Sequence, residues 1–110
     1  MKTYHGIQSE HGPVVLVEEN GECRSLNPRH DLRYLSTDGF GWGYSGEQAA
    51  QFALALACDV LGDDRKALMF YQRLKFSLIG TLPDEGWVLT EDRVRHALDT
   101  IERAKDRVRQ

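Results

Sequence analysis

The side chains best suited to chemistry are few and scattered along the chain. Histidines stand at His5, His11, His30 and His96, and the thiols are Cys23 and Cys58. A Cys or Ser nucleophile needs a base oriented within hydrogen-bond reach. Only His30-Asp31 sets a histidine beside a carboxylate, and His30-x-x-Arg33-Tyr34 could line a pocket near the loop that follows. Cys58 falls inside an apolar helical run, and Ser45 has a more economical role as a helix cap. No His, Cys, Asp or Glu cluster has the spacing of a metal site. The sequence therefore predicts no catalytic residue, no metal and no cofactor; solvated or locally bonded histidines are the plainer reading.

The second chemical candidate is Gly41-x-Gly43-x-Ser45-Gly46 ahead of an apolar helix. Free amides and the positive end of a helix dipole suit an anion, with Lys75 as a candidate counter-cation. It is not a phosphate-binding P-loop: no Gly-Lys-Ser/Thr follows, and Glu47 in the first turn would repel phosphate. The plainer reading is that the glycines fold Trp42 and Tyr44 onto the core while Ser45 caps the helix. A third candidate is aromatic. Trp42, Tyr44 and Trp87 lie outside regular helix, and with Arg29 and Arg33 they suit either a core edge or a binding surface.

The elements that must position these groups are legible in outline. Thr3, Tyr4 and Ile7 favour a first strand, and His11-Gly12-Pro13 ends it. Val14–Val17 is a run that fits a strand buried on both faces or one covering a core. Asn20-Gly21 signals a hairpin, because both residues tolerate positive φ. Cys23 to Leu26 is the return strand, ended by Asn27-Pro28. Residues 1–26 thus read as a β-meander and 27–45 as a loop region, with no firm assignment for 29–39.

Helices are predicted over 46–61, 64–79 and 91–107. Ser45-Gly46-Glu47-Gln48 matches a capping box, and Gly62 supplies the C-terminal glycine of the first helix. In that helix Gln48, Gln51, Ala55 and Asp59 share one narrow stripe while the remaining circumference is apolar, so it should pack on several sides. The short link at 62–63 makes the first two helices an antiparallel hairpin. Thr90 caps the last helix, whose Leu89 and Val94 have the spacing of a hydrophobic staple.

Composition bounds the rest. A chain of 110 residues, 41% hydrophobic and 28% charged, has the profile of one folded domain. Its net charge of −3 speaks against general nucleic-acid binding. The exception is the basic end, Arg103, Lys105, Arg107 and Arg109, which is either dipole complement or a contact for nucleic acid or an acidic partner. No run approaches the roughly 18 apolar residues of a membrane span, and residues 1–6 lack the apolar core of a signal peptide. Two cysteines outside any redox spacing suggest reduced thiols in a cytoplasmic protein.

Gly39-Phe40-Gly41-Trp42-Gly43-Tyr44 and the Gln51–Leu56 helix resemble a family of short, uncharacterised bacterial and bacteriophage proteins. That domain of unknown function carries a Gly-Phe-x-Trp-Gly-Tyr loop and a Gln-x-Ala-Leu-Ala helix. Tyr71-Gln72-Arg73-Leu74-Lys75 and Gly86-Trp87-Val88-Leu89-Thr90 match its later segments, so the resemblance spans roughly 26–90. It implies a phage, prophage or bacterial cytoplasmic setting and carries over no catalytic residue. The expectation is an α+β fold, a small antiparallel N-terminal sheet on a three-helix layer with a buried central helix. The expected function is a non-enzymatic module binding a protein through Trp42, Tyr44, Arg33, His30 and Trp87. The alternative is a small-molecule or nucleotide-binding enzyme using the glycine loop with His30, Asp31 and Lys75. Spare faces on the last helix leave room for a homodimer.

Overall fold

The structure, a computed structural model, describes the backbone of residues 1–108 and the side chains of residues 1–104. Its order is β1 (Thr3–Ser9), β2 (Gly12–Glu19), β3 (Glu22–Ser25), α1 (Glu47–Leu61), α2 (Asp64–Ser77), a 3₁₀ turn (Ile79–Thr81), β4 (Gly86–Thr90) and α3 (Glu91–Val108). It is an α+β fold with an antiparallel sheet and three helices.

The sheet begins as the expected meander. Asn20 and Gly21 both take positive φ, 55° and 80°, so the tight turn matches the twist of its strands. Val15 and Val17 are buried while Val14 and Leu16 are half-buried, so β2 covers the core with one face only. The sheet then gains a fourth member. β4 pairs antiparallel with β1, giving the order β3-β2-β1-β4. This pairing places Gly6 opposite Trp87 and Tyr4 opposite Leu89 on the inner face.

Gly6 is required there by contact. A Cβ at this position would lie 2.1 Å from Cε2 of Trp87, so the indole lies directly against the β1 backbone. Trp87 stacks on Phe52 of α1 at 5.3 Å and meets Trp42 edge-on at 5.3 Å. Phe40 adds a ring 5.6 Å from Phe52. These rings join sheet, loop and central helix in one core.

Every residue of α1 from Ala49 to Cys58 is buried. The sheet contributes Tyr4, Val15 and Val17 to the same core, α2 contributes Ala67, Phe70, Tyr71 and Leu74, and α3 contributes Val94, Leu98 and Ile101. Gly62 closes α1 in the left-handed conformation, its amide donating to the Cys58 carbonyl at 2.9 Å. Asp63 caps α2 and Thr90 caps α3 through the amides of Lys66 and Arg93, each at 3.1 Å. α2 stops at Ser77, two residues short of expectation, because Ile79–Thr81 tightens into a 3₁₀ turn.

The start of α1 differs from the sequence expectation. Gly46 is its N-cap and no side chain caps the helix. The Gln48 side chain, expected to reach back to Ser45, instead accepts from the Tyr44 hydroxyl and donates to the Asp38 carbonyl. Competing partners in the loop take it away from the capping box.

Candidate functional site

The polar stripe of α1 organises the candidate site. Residues 24–44 run along it in the opposite sense to the helix. Arg24 lies at Asp59, Pro28 and Arg33 lie at Gln51, and Asp38 and Tyr44 lie at Gln48. An irregular segment cannot satisfy its own amides and carbonyls in a ladder, so side chains of the helix must do it.

Gln51 does most of this. Its Oε1 accepts from the amides of Leu35 at 2.7 Å and Ser36 at 3.1 Å. Its Nε2 donates to the carbonyls of Pro28 at 2.7 Å and Arg33 at 3.1 Å. The side chain is fully buried with its entire hydrogen-bonding capacity used. The stripe was visible in the sequence; that its glutamine fastens a loop was not. A glutamine set in the apolar middle of the helix is the signal that could have found it.

Arg29 supplies the second fastening. It is a non-glycine residue at φ 60°, a conformation that costs on the order of 1 kcal/mol for an L side chain. Its amide donates to Asn27 Oδ1 at 2.9 Å, and its guanidinium forms paired bonds of 2.9–3.1 Å to both Asp31 and Asp64. The Arg29 guanidinium holds both carboxyls below their ordinary value. Asp31, named beside His30 and Lys75 in the alternative ligand-binding reading, is one jaw of this clamp.

At the far end of the stripe Arg24, Leu26, Asn27, Arg29, Ala55, Cys58 and Asp59 line a cleft of about 320 Å³. Ala55 leaves the space; larger neighbours wall it. Burial acts to raise the Asp59 pKa, but the Tyr4 hydroxyl at 2.7 Å, Arg24 at 2.9 Å and Lys2 at 3.4 Å outweigh it and hold the carboxyl below its ordinary value. Burial pushes the Cys58 thiol up to about 11, so at neutral pH it is a thiol and a poor nucleophile. The cleft was not legible in the sequence, because Arg24 reaches Asp59 from a strand whose register sets it opposite the buried Val17 of β2.

The other sequence candidates fall in two groups. Trp42 and Trp87 are core residues, 1% and 8% exposed, and Trp42 Nε1 donates to the Asp84 carbonyl at 3.3 Å. Tyr44 is 46% exposed and Tyr34 63%. His30 lies against Tyr34, the ring centroids 4.3 Å apart and the planes tilted by 40°, with its Nε2 buried and without a partner, and Arg33 lies 6.0 Å over the Tyr71 ring. The loop amides have inward duties: Gly41 donates to the Gln48 carbonyl at 3.1 Å and Gly43 to the Ile79 carbonyl at 3.0 Å. A Cβ on Gly41 would sit 2.3 Å from the Tyr44 hydroxyl, and one on Gly46 3.2 Å from its ring. Both glycines make room for Tyr44. Ser45 is exposed, and the Lys75 ammonium lies 4.3 Å over the Phe76 ring.

Among the described residues no group of His, Cys, Asp and Glu could hold a metal ion, and no helix is long and apolar enough to cross a membrane. Arg103 is exposed; the side chains of Lys105 and Arg107, and all of Arg109, lie outside the described residues.

A family model described as a family of unknown function (DUF6166) matches residues 4–100. No curated protein and no solved structure matches. The chain belongs to that family, and the match spans sheet, loop and helices alike.

Proposed function

We propose that this member of the DUF6166 family is a small non-enzymatic binding module that contacts a protein partner through the 29–44 loop. The observation that carries the reading is the presentation of Tyr34 and Tyr44. Both are exposed, yet Gln51 fastens the backbone around Tyr34 to a buried helix, Gln48 accepts from the Tyr44 hydroxyl, and Arg29 clamps the start of the loop. Tyrosines on a prefixed backbone lose little freedom on binding, which is what a contact hot spot requires. His30 and Arg33 flank Tyr34 and supply polar edges. Trp42 and Trp87 act beneath this surface as support. The setting we propose is the cytoplasm of a bacterium, with a phage or prophage origin and a host or phage protein as partner.

The test is site-specific photocrosslinking in a bacterial host, with the crosslinker at position 34 or 44 and, as control, at exposed Arg103. A discrete adduct from 34 and 44 but not 103, abolished by Arg29→Ala, supports the module. Equal adducts from all three positions, or none, sink it.

A second reading rests on the cleft between Arg24 and Arg29, which has room for a small polar molecule. It would make the protein a small-molecule-binding enzyme, with the site moved from the glycine loop to the far end of the α1 stripe. Stabilisation by a nucleotide or phosphorylated metabolite in a thermal-shift screen, lost in Arg24→Ala, would favour it. No shift at millimolar ligand would end it.

A further inference from the structure

The chain between Asp64 and Asp84 carries Arg65, Lys66, Arg73 and Lys75 and no carboxylate, in a protein of net charge −3. On α2 the residues Arg65, Met69, Gln72 and Phe76 succeed one another at steps of four, three and four, so they form one straight row. All four are exposed, as is Arg73 beside them. Met69 is 47% exposed and Phe76 63%, two large apolar side chains on a face that otherwise carries cations. Lys75 sets its ammonium 4.3 Å over the Phe76 ring, adding positive charge to the apolar anchor. Lys66 is drawn aside to Glu102 of α3 at 3.6 Å, which leaves Arg65, Arg73 and Lys75 to define the field of this row.

We propose that this face of α2 docks an acidic amphipathic helix of a partner protein. Met69 and Phe76, two helical turns apart, match the anchor spacing of helix-against-helix recognition. The surrounding cations select acidic residues flanking the partner's apolar stripe. A second copy of this chain offers no charge complement, since a two-fold contact would bring the same cations of both copies into one interface without a carboxylate from this segment. A phosphate backbone would use the cations but leave the methionine without a role. This face lies on a different element from the tyrosine loop and does not depend on it.

The test uses the full chain and a fluorescent model peptide with leucines at i, i+3, i+4 and i+7 and glutamates elsewhere. Comparison probes are a scrambled peptide of the same composition, polyglutamate, a single-stranded oligonucleotide and anionic phosphatidylglycerol vesicles. The patterned peptide should bind best, with amide shifts centred on residues 65–76. Phe76→Ser and the pair Arg65→Glu with Arg73→Glu should each weaken it about tenfold or more. Both are surface changes, and circular dichroism verifies the fold. The double variant Tyr34→Ala with Tyr44→Ala should bind the peptide unchanged, which separates this face from the loop. The proposal is overturned by equal binding of scrambled peptide or polyglutamate, by tighter binding of oligonucleotide or vesicles, by shifts elsewhere, or by no binding at millimolar peptide.

Discussion

Replacing Gln51 with leucine tests the idea that one side chain holds the loop. Leucine has nearly the same volume, so the helix and its packing are retained while four hydrogen bonds of 2.7–3.1 Å disappear. A net value of about 1 kcal/mol per bond, with part of the loss recovered by water at Pro28 and Arg33, gives about 3–4 kcal/mol. That is a large share of the roughly 5–15 kcal/mol that keeps a domain folded. It corresponds to a fall in melting temperature of about 15 °C. Denaturant titration with an unchanged slope would measure it, and hydrogen exchange at the Leu35 and Ser36 amides would localise it.

Gln51→Glu refines the test. It keeps both acceptors but turns lone pairs toward the two carbonyls, so the buried carboxyl is favoured in its protonated form. Its folded pKa is then raised, and its stability contribution is present below about pH 4 and lost as pH rises. The glutamate variant should therefore gain on wild type as pH falls from neutral to about 4. A loss below about 1 kcal/mol in Gln51→Leu, with both amides still protected, would refute the reasoning and assign the loop to its apolar anchors Leu32 and Leu35.

Three further outcomes are expected. Asp59 has its pKa held below the ordinary 3.8, so its contribution is present above that value and lost as pH falls through the lower folded value; Asp59→Asn should flatten the acid limb of stability against pH, and an unchanged limb would contradict the ion-pair account. Gly6→Ala should cost about 1–3 kcal/mol and alter tryptophan emission, because the new methyl occupies the place of the Trp87 ring; a silent substitution would show that the indole need not lie on β1. With a thiol reagent at neutral pH, exposed Cys23 should react quickly and buried Cys58 only on unfolding, and two fast thiols would be inconsistent with the raised Cys58 pKa.

What the sequence revealed was what short-range chemistry decides. Asn20-Gly21, Gly62 and Thr90 act within a few residues of themselves, and their turns and caps stand where expected. The rest depends on how the irregular loop folds and on contacts between distant segments. Gln48 left its local cap for Tyr44 and Asp38. Core edge and binding surface both stayed open for Trp42 and Trp87, because only the β1–β4 pairing reveals that they share a core with Phe52. The left-handed Arg29 was invisible because its strain is offset by Asp64, 35 residues away. Polar positions on an apolar helix are informative, but the segment they serve emerges only in three dimensions.

The β1–β4 ladder also has a kinetic consequence. It joins residues 3–7 to residues 86–90, so its closure is among the most sequence-distant events in the fold. Such closures are entropically late and slow folding relative to local hairpins. The β1–β2–β3 meander can form early but keeps the β1 edge unpaired until Thr90 has been synthesised. During translation that edge, with Ile7 exposed beside it, is a template for strand addition. A ribosome stalled between α2 and β4 should therefore hold an aggregation-prone chain, and release past Thr90 should remove the hazard in one step.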